Sequence, residues 1–199
     1  MKAVLREVSP QEIARRKRLG HDRWDEMWEG VLHMSPAPAD EHQRMTGELF
    51  AFLLALLRGK KRGTLRLGIN VFNEAAFEPD YRIPDLTFVA AGRERIMAPD
   101  GIRGGGPDAV IEIRSPEDET YEKFPFFAAL GVREVVVVDR DTKKPEVYRL
   151  AGSQYLAIAA DRDGWVVSEI LAVPFRLVAG EKPRLIVEDR EDASTRVEI

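Results

Sequence analysis

Hydrophobic residues recur three or four positions apart over 41–58. Met45, Leu49, Phe52, Leu53 and Leu56 make one stripe of a helix that a core must cover. Asp40, directly ahead, is placed to cap it. The period then changes. In TLRLGINVFN, residues 64–73, strict alternation sets Leu65, Leu67, Ile69 and Val71 on one face, as in a half-buried strand. PDLTFVA at 84–90 and DAVIEI at 108–113 predict two more strands, separated by the loop GIRGGGP. A helix is expected to open at Ser115 and Pro116, with Asp118 as its capping-box acid, and to run to Leu130 with Gly131 closing it. VREVVVVD, an unbroken apolar run between charges, predicts a central strand covered on both faces. PEVYRL, QYLAIAA and WVVSEILAV follow as antiparallel strands joined by charged turns.

The order helix, strand, strand, strand, helix, strand, with a β-rich extension, predicts an α/β architecture: a mixed sheet with flanking helices. At 199 residues and 44% hydrophobic, the chain suits one domain better than two. Its expected parts are an irregular lead-in with a short basic helix (1–40), a core (41–140), an antiparallel β appendage (141–188) and a loosely held charged tail (189–199).

Composition narrows the chemistry. With no cysteine, disulfides, thiolate nucleophiles and cysteine zinc sites are excluded. His21, His33 and His42 are too far apart for a short-spaced zinc motif, which leaves carboxylates and therefore hard, oxygen-preferring cations. No stretch approaches the roughly 18 apolar residues of a membrane helix, so a cytoplasmic protein with no membrane association is expected. A net charge of -4 argues against nucleic-acid binding through overall charge. Two local basic clusters remain, at 15–18 and at Arg58, Lys60, Lys61, Arg62 and Arg66. The plainer reading of each is a solvated face, more so for the first than for the second. Trp24 and Trp28 are expected to pack rather than to stack on bases, and Tyr81 is a candidate for lining a cleft.

Three acids stand where polar residues should be rare. Asp85 opens a strand behind Pro84, Glu112 is embedded in AVIEIRS, and Glu48 lies at the edge of the inward face of the long helix. A buried ionised carboxylate needs a partner charge, a proton or a metal. Converging carboxylates suit phosphodiester cleavage, because they hold Mg²⁺ ions that polarise the phosphate and activate water. The plainer readings are a strand-start turn for Asp85 and a salt bridge from Glu112 to Arg82, Arg114 or Arg133. If Asp85 and Glu112 meet, at least one should have a raised pKa.

Pro84-Asp85, Glu112, Ser115-Pro116, Lys123, Phe127, Gly131-Val132 and Val138-Asp139, in that order, resemble the Uma-two family of proposed endonucleases within the PD-(D/E)XK restriction-endonuclease-like superfamily. The resemblance spans roughly residues 25–150. It implies a restriction-endonuclease-like core and a Mg²⁺- or Mn²⁺-dependent endonuclease acting on DNA. Asp85, Glu112 and Lys123 would be catalytic. Asp85, Glu112, the Ile113 carbonyl and, through water, Glu48 would hold the metal, with Arg114 and His42 near the substrate. Duplex cleavage by so small a core implies a homodimer. Two departures stand out. Arg114 occupies the superfamily's usual lysine position and cannot easily act as a base, and Pro125 would kink a helix already under way at Lys123. A plainer role for Lys123 is a surface pair with Glu119 or Glu122. The rival functions are a nuclease-fold binding module without turnover and an oligomeric interaction protein.

Overall fold

The computed structural model describes residues 3–5 and 8–199. Its first part holds more regular structure than a lead-in: β1 (Ala3–Leu5), α1 (Pro10–Leu19) and a hairpin of β2 (Asp25–Trp28) and β3 (Val31–Met34). Ser9 caps α1 by accepting from the Glu12 N–H at 3.2 Å, and Gly20 (φ 68) ends it. Glu29 (φ 48) and Gly30 (φ 82) both take left-handed backbone, as a two-residue hairpin loop requires.

α2 (Asp40–Gly59) forms where the apolar stripe predicts it and buries Met45, Leu49, Leu53 and Leu57. Its N-cap is Ala39, not Asp40. Asp40 instead begins the helix beside Glu41, where negative charge favours the N-terminal end of the dipole.

The alternation at 64–73 does not make one strand. β4 (Gly63–Leu67) stops where Gly68 turns left-handed (φ 48) and gives its N–H to the Asp85 carbonyl at 3.0 Å. β5 (Val71–Phe72) lies in a different sheet. Leu65 and Val71 are both buried, but Leu67, beside the bend, is 45% exposed. β6 (Tyr81–Arg82), β7 (Leu86–Ala90), β8 (Met97–Ala98), β9 (Gly101–Ile102) and β10 (Ala109–Arg114) follow.

The helix expected from Ser115 begins only at Phe124, as α3 (Phe124–Ala129). Asp118 explains the delay. Its carboxylate takes the N–H of Ser115 at 2.5 Å, the N–H of Thr120 at 3.0 Å and the Thr120 hydroxyl at 2.7 Å, so this stretch is satisfied without a helix. A 3₁₀ turn (Tyr121–Lys123) leads in. Pro125 therefore falls in the first turn of α3, where a missing N–H forfeits no hydrogen bond, and it does not kink the helix.

β11 (Glu134–Asp139), β12 (Pro145–Ala151) and β13 (Gln154–Ala157) complete a six-stranded mixed sheet ordered β13-β12-β11-β10-β7-β4. Within it, β10 and β11 run parallel and the other neighbours antiparallel. The short strands β1 to β3, β5, β6, β8 and β9 make a seven-stranded sheet. β14 (Trp165–Ser168), β15 (Val173–Val178), β16 (Arg184–Asp189) and β17 (Asp192–Glu198) make a third, antiparallel sheet.

The segment expected as one appendage is thus divided, its first strands extending the central sheet. The tail is not loose either. β17 pairs along β16, and Ile199 exchanges both backbone hydrogen bonds with Leu185 and is buried. Glu134, fully buried, joins this third sheet to the central one. It accepts from Arg149 (2.9 Å), the Ser168 hydroxyl (2.6 Å) and the N–H groups of Glu169 (3.2 Å) and Ile170 (3.0 Å).

Two hydrophobic clusters cover the two faces of the central sheet. Ala109, Ile111 and Ile113 of β10 pack with α2 and the third sheet, while Val110 packs with Phe126 and Phe127 of α3 and with Val71 and Ile102. Among the described residues, no helix is long and apolar enough to cross a membrane.

Candidate active site

The alternation that splits the two clusters also sets the site. On β7, Leu86 and Phe88 face α2 and Val89 faces away; on β10, Val110 faces away, and so does Glu112 two residues on. The last paired residues are Ile111 and Leu86. One step further, Glu112 and Asp85 come opposite one another on the same side. Where the pairing stops, the side chain of Asp85 replaces it, its Oδ2 accepting the Ile113 N–H at 2.7 Å. Its Oδ1 lies 3.2 Å from Nε2 of His42, in the first turns of α2. Nδ1 of His42 is buried with no hydrogen-bond partner among the described residues.

Glu112 is 6% exposed at its side chain. Loss of hydration is the largest influence on it and pushes its pKa up to about 8. Lys123 works against that rise, and the charges of Asp85 and Glu26 add to it. Asp85 is also raised, again chiefly by desolvation, against the pull of His42 and the Ile113 N–H.

Lys123 sits at the start of α3, with Nζ 3.2 Å from Glu112 Oε1 and 2.9 Å from Glu26 Oε1. Burial favours its neutral form, but Glu112 and Glu26 outweigh this and raise its pKa, so it is an ammonium. Glu26, on β2, is the acid missing from the sequence-based set. Its Oε1 also accepts the Ile83 N–H at 2.8 Å, and its Oε2 accepts Nε1 of Trp28 at 2.8 Å. Burial alone would raise its pKa, yet Lys123 and these two donors hold it below the usual value.

These groups line a cleft of about 550 Å³ whose walls include Trp24, Pro36 and Pro38, with Arg23 and Arg140 also lining it. Three carboxylates here face a single lysine. Hard oxygen donors in this number could hold a divalent cation, and Asp85 and Glu112 are the pair placed to do so. As the side chains stand, no group of three histidine or acidic residues among those described is arranged to hold a metal. Lys123 lies against Glu112 instead.

The structure therefore brings together Asp85, Glu112, Lys123 and His42, with Ile113 lining the same cleft. It leaves out Glu48 and Arg114. Glu48 lies two residues past Thr46, a cleft-lining position, and so roughly 200° round the helix; it is 40% exposed and paired with Arg44 at 2.9 Å. Arg114 is held by Asp139 at 2.9 Å and lies over the Tyr121 ring. The plainer pairings do not form either: Arg82, Arg114 and Arg133 bind Asp80, Asp139 and Asp108, and Glu119 binds His33.

Trp28 does more than pack, since it donates to Glu26 and stacks on His33 with ring centroids 4.2 Å apart. Tyr81 lies against Phe72, away from the cleft lining. Of the basic clusters, Arg16 is engaged by Asp25, and Lys60 and Arg62 by Asp189 and Glu191. The one signal in the sequence for Glu26 was the Glu29-Gly30 dipeptide between two short apolar runs, a hairpin mark weaker than Asn-Gly.

The family described as "Uma2: Putative restriction endonuclease" matches residues 16–179. Among solved structures, the chain is similar to the crystal structure described as "a putative nuclease belonging to DUF820 from Anabaena variabilis ATCC 29413". The match has 18% identity and a TM-score of 0.60, and covers 74% of this chain and 83% of that one. At that identity the likeness is one of fold. No curated protein matches the chain.

Proposed function

The chain belongs to the Uma2 family, and from that premise we propose that it is a Mg²⁺- or Mn²⁺-dependent endonuclease hydrolysing the phosphodiester bonds of DNA. The observation that carries this reading is the meeting of Asp85 and Glu112 on one side of neighbouring strands, both short of hydration and both facing Lys123. Asp85 and Glu112 would hold the cation, which when bound supplies polarisation of the phosphate and a more acidic water. His42 and the Ile113 N–H fix the Asp85 carboxylate from two sides. Lys123 is an ammonium, so its part is to offset negative charge developing on the phosphate rather than to take a proton. Two such sites in a homodimer would serve the two strands of a duplex.

The test is cleavage of labelled single-stranded and duplex DNA in Mn²⁺ or Mg²⁺, with a chelator control. Cleavage should need the metal and should be lost in Asp85→Ala and Glu112→Ala. Cleavage that survives the chelator or either substitution overturns the reading. One observation favours a second reading, a nuclease-fold protein that binds nucleic acid without cutting it: Lys123 already neutralises Glu112. Retarded migration of DNA without product in Mn²⁺ would select it.

A further inference from the structure

Lys123 has two carboxylates within reach, and they are not equivalent. Glu26 is fully engaged, with the Ile83 N–H, the Trp28 indole N–H and Lys123 all donating to it at 2.8–2.9 Å. Among the described residues, the one hydrogen-bond donor to Glu112 is Lys123, at 3.2 Å and 3.5 Å to its two oxygens. Both acids are almost completely buried, so neither can exchange its partner for bulk water. β2 carries Glu26 in from the N-terminal hairpin, outside the strands that bear Asp85 and Glu112. Trp28 is itself braced, with His33 stacked on its ring and the Arg82 guanidinium 4.2 Å from the ring centroid.

We propose that Glu26 is a positioning residue that retains Lys123 when a divalent cation takes Glu112, so that the hairpin sets the metal affinity of a site to which it contributes no ligand. The inference rests on the metal-dependent reading above. In its physical logic, cation and ammonium compete for the Glu112 carboxylate. With Glu26 present, Lys123 gives up one ion pair and keeps another. With Glu26 neutral, Lys123 has only Glu112, and the incoming metal must displace a buried charge with nowhere to go, which is costly. Lys123 then stays beside the reacting phosphate in the loaded site because Glu26 holds it there.

The test is a double-mutant cycle read by calorimetric titration with Mn²⁺, without nucleic acid, on wild type, Glu26→Gln, Lys123→Met and the double variant. Groups that support a metal ligand from outside its coordination shell typically change affinity 10- to 100-fold when removed. Glu26→Gln should accordingly weaken Mn²⁺ binding roughly tenfold or more, and Lys123→Met should tighten it. In the Lys123→Met background, the further change Glu26→Gln should have little effect, because its action passes through the lysine.

Equal weakening in both backgrounds would mean that Glu26 acts on the metal directly, and would overturn the proposal. So would unchanged binding by Glu26→Gln. If Glu26→Gln does not fold, as judged by circular dichroism, the proposal stands or falls on Lys123→Met: failure of that variant to bind more tightly refutes the competition. Wild type that binds no Mn²⁺ at millimolar concentration removes the metal-dependent reading together with this one, whereas wild type that binds and loses binding in Asp85→Ala retains the first and leaves the cycle to decide the second.

Discussion

Replacing Glu112 by Gln should stabilise the metal-free protein, and only above a definite pH. Glu112 has its folded-state pKa raised from 4.5 to about 8, with desolvation as the largest cause. A carboxyl raised in this way holds its proton more tightly folded than unfolded. Its favourable contribution is therefore complete below pH 4.5 and is lost as pH rises from 4.5 towards 8. At about 1.4 kcal/mol per unit, a displacement of that size sets an upper bound on the order of 4 kcal/mol by pH 8. The side chain is only 6% exposed, so solvent screening takes little off, and the opposing pull of Lys123 is already contained in the net rise.

The assay is urea unfolding followed by far-ultraviolet circular dichroism from pH 4.5 to 8, with a chelator present. The difference between Glu112→Gln and wild type should be near zero at the acid end and should grow in favour of the variant through the neutral range. Taking the difference cancels the titration of distant groups. A gap that does not change with pH, or one that favours wild type increasingly as pH rises, would refute the reasoning. Added Mn²⁺ should then reverse the order, since a ligand that binds only the folded wild type stabilises it by mass action.

Glu134→Ala should lower the unfolding free energy by about 3–5 kcal/mol in the same urea assay, because it leaves Arg149, Ser168 and two backbone N–H groups without their acceptor. Glu48→Ala, at an exposed pair with Arg44, should leave Mn²⁺ affinity unchanged by calorimetry and move stability by no more than about 0.5 kcal/mol; a loss of metal binding would return Glu48 to the site. Sedimentation equilibrium at micromolar concentration should report twice the 22.5 kDa chain mass, and the monomer mass would remove the homodimer.

The elements with a strong local period were legible in the chain. The stripe of α2 and the runs of β7, β10 and β11 appear within a residue or two of their expected places, because each alternation or heptad-like spacing records which side a core must cover. Asp85 and Glu112 were legible for the same reason in reverse, as charges set into apolar strands, and the resemblance in motif order pointed to Lys123. Where local signals competed, the reading failed. Asp118 binds the backbone before a helix can start, and Gly68 bends an alternation that is otherwise unbroken.

What no stretch of sequence carries is contact between distant segments. Glu48 and His42 lie on one predicted helix, and only the packing of α2 on the sheet turns His42 to Asp85 and Glu48 to solvent. Glu26 and Lys123, 97 positions apart in the chain, meet because β2 and the start of α3 are brought to one cleft. Period-2 and period-3.6 patterns specify a face, and a charge is written into the sequence wherever it falls. Which charge answers which depends on chain crossings that only the tertiary fold makes.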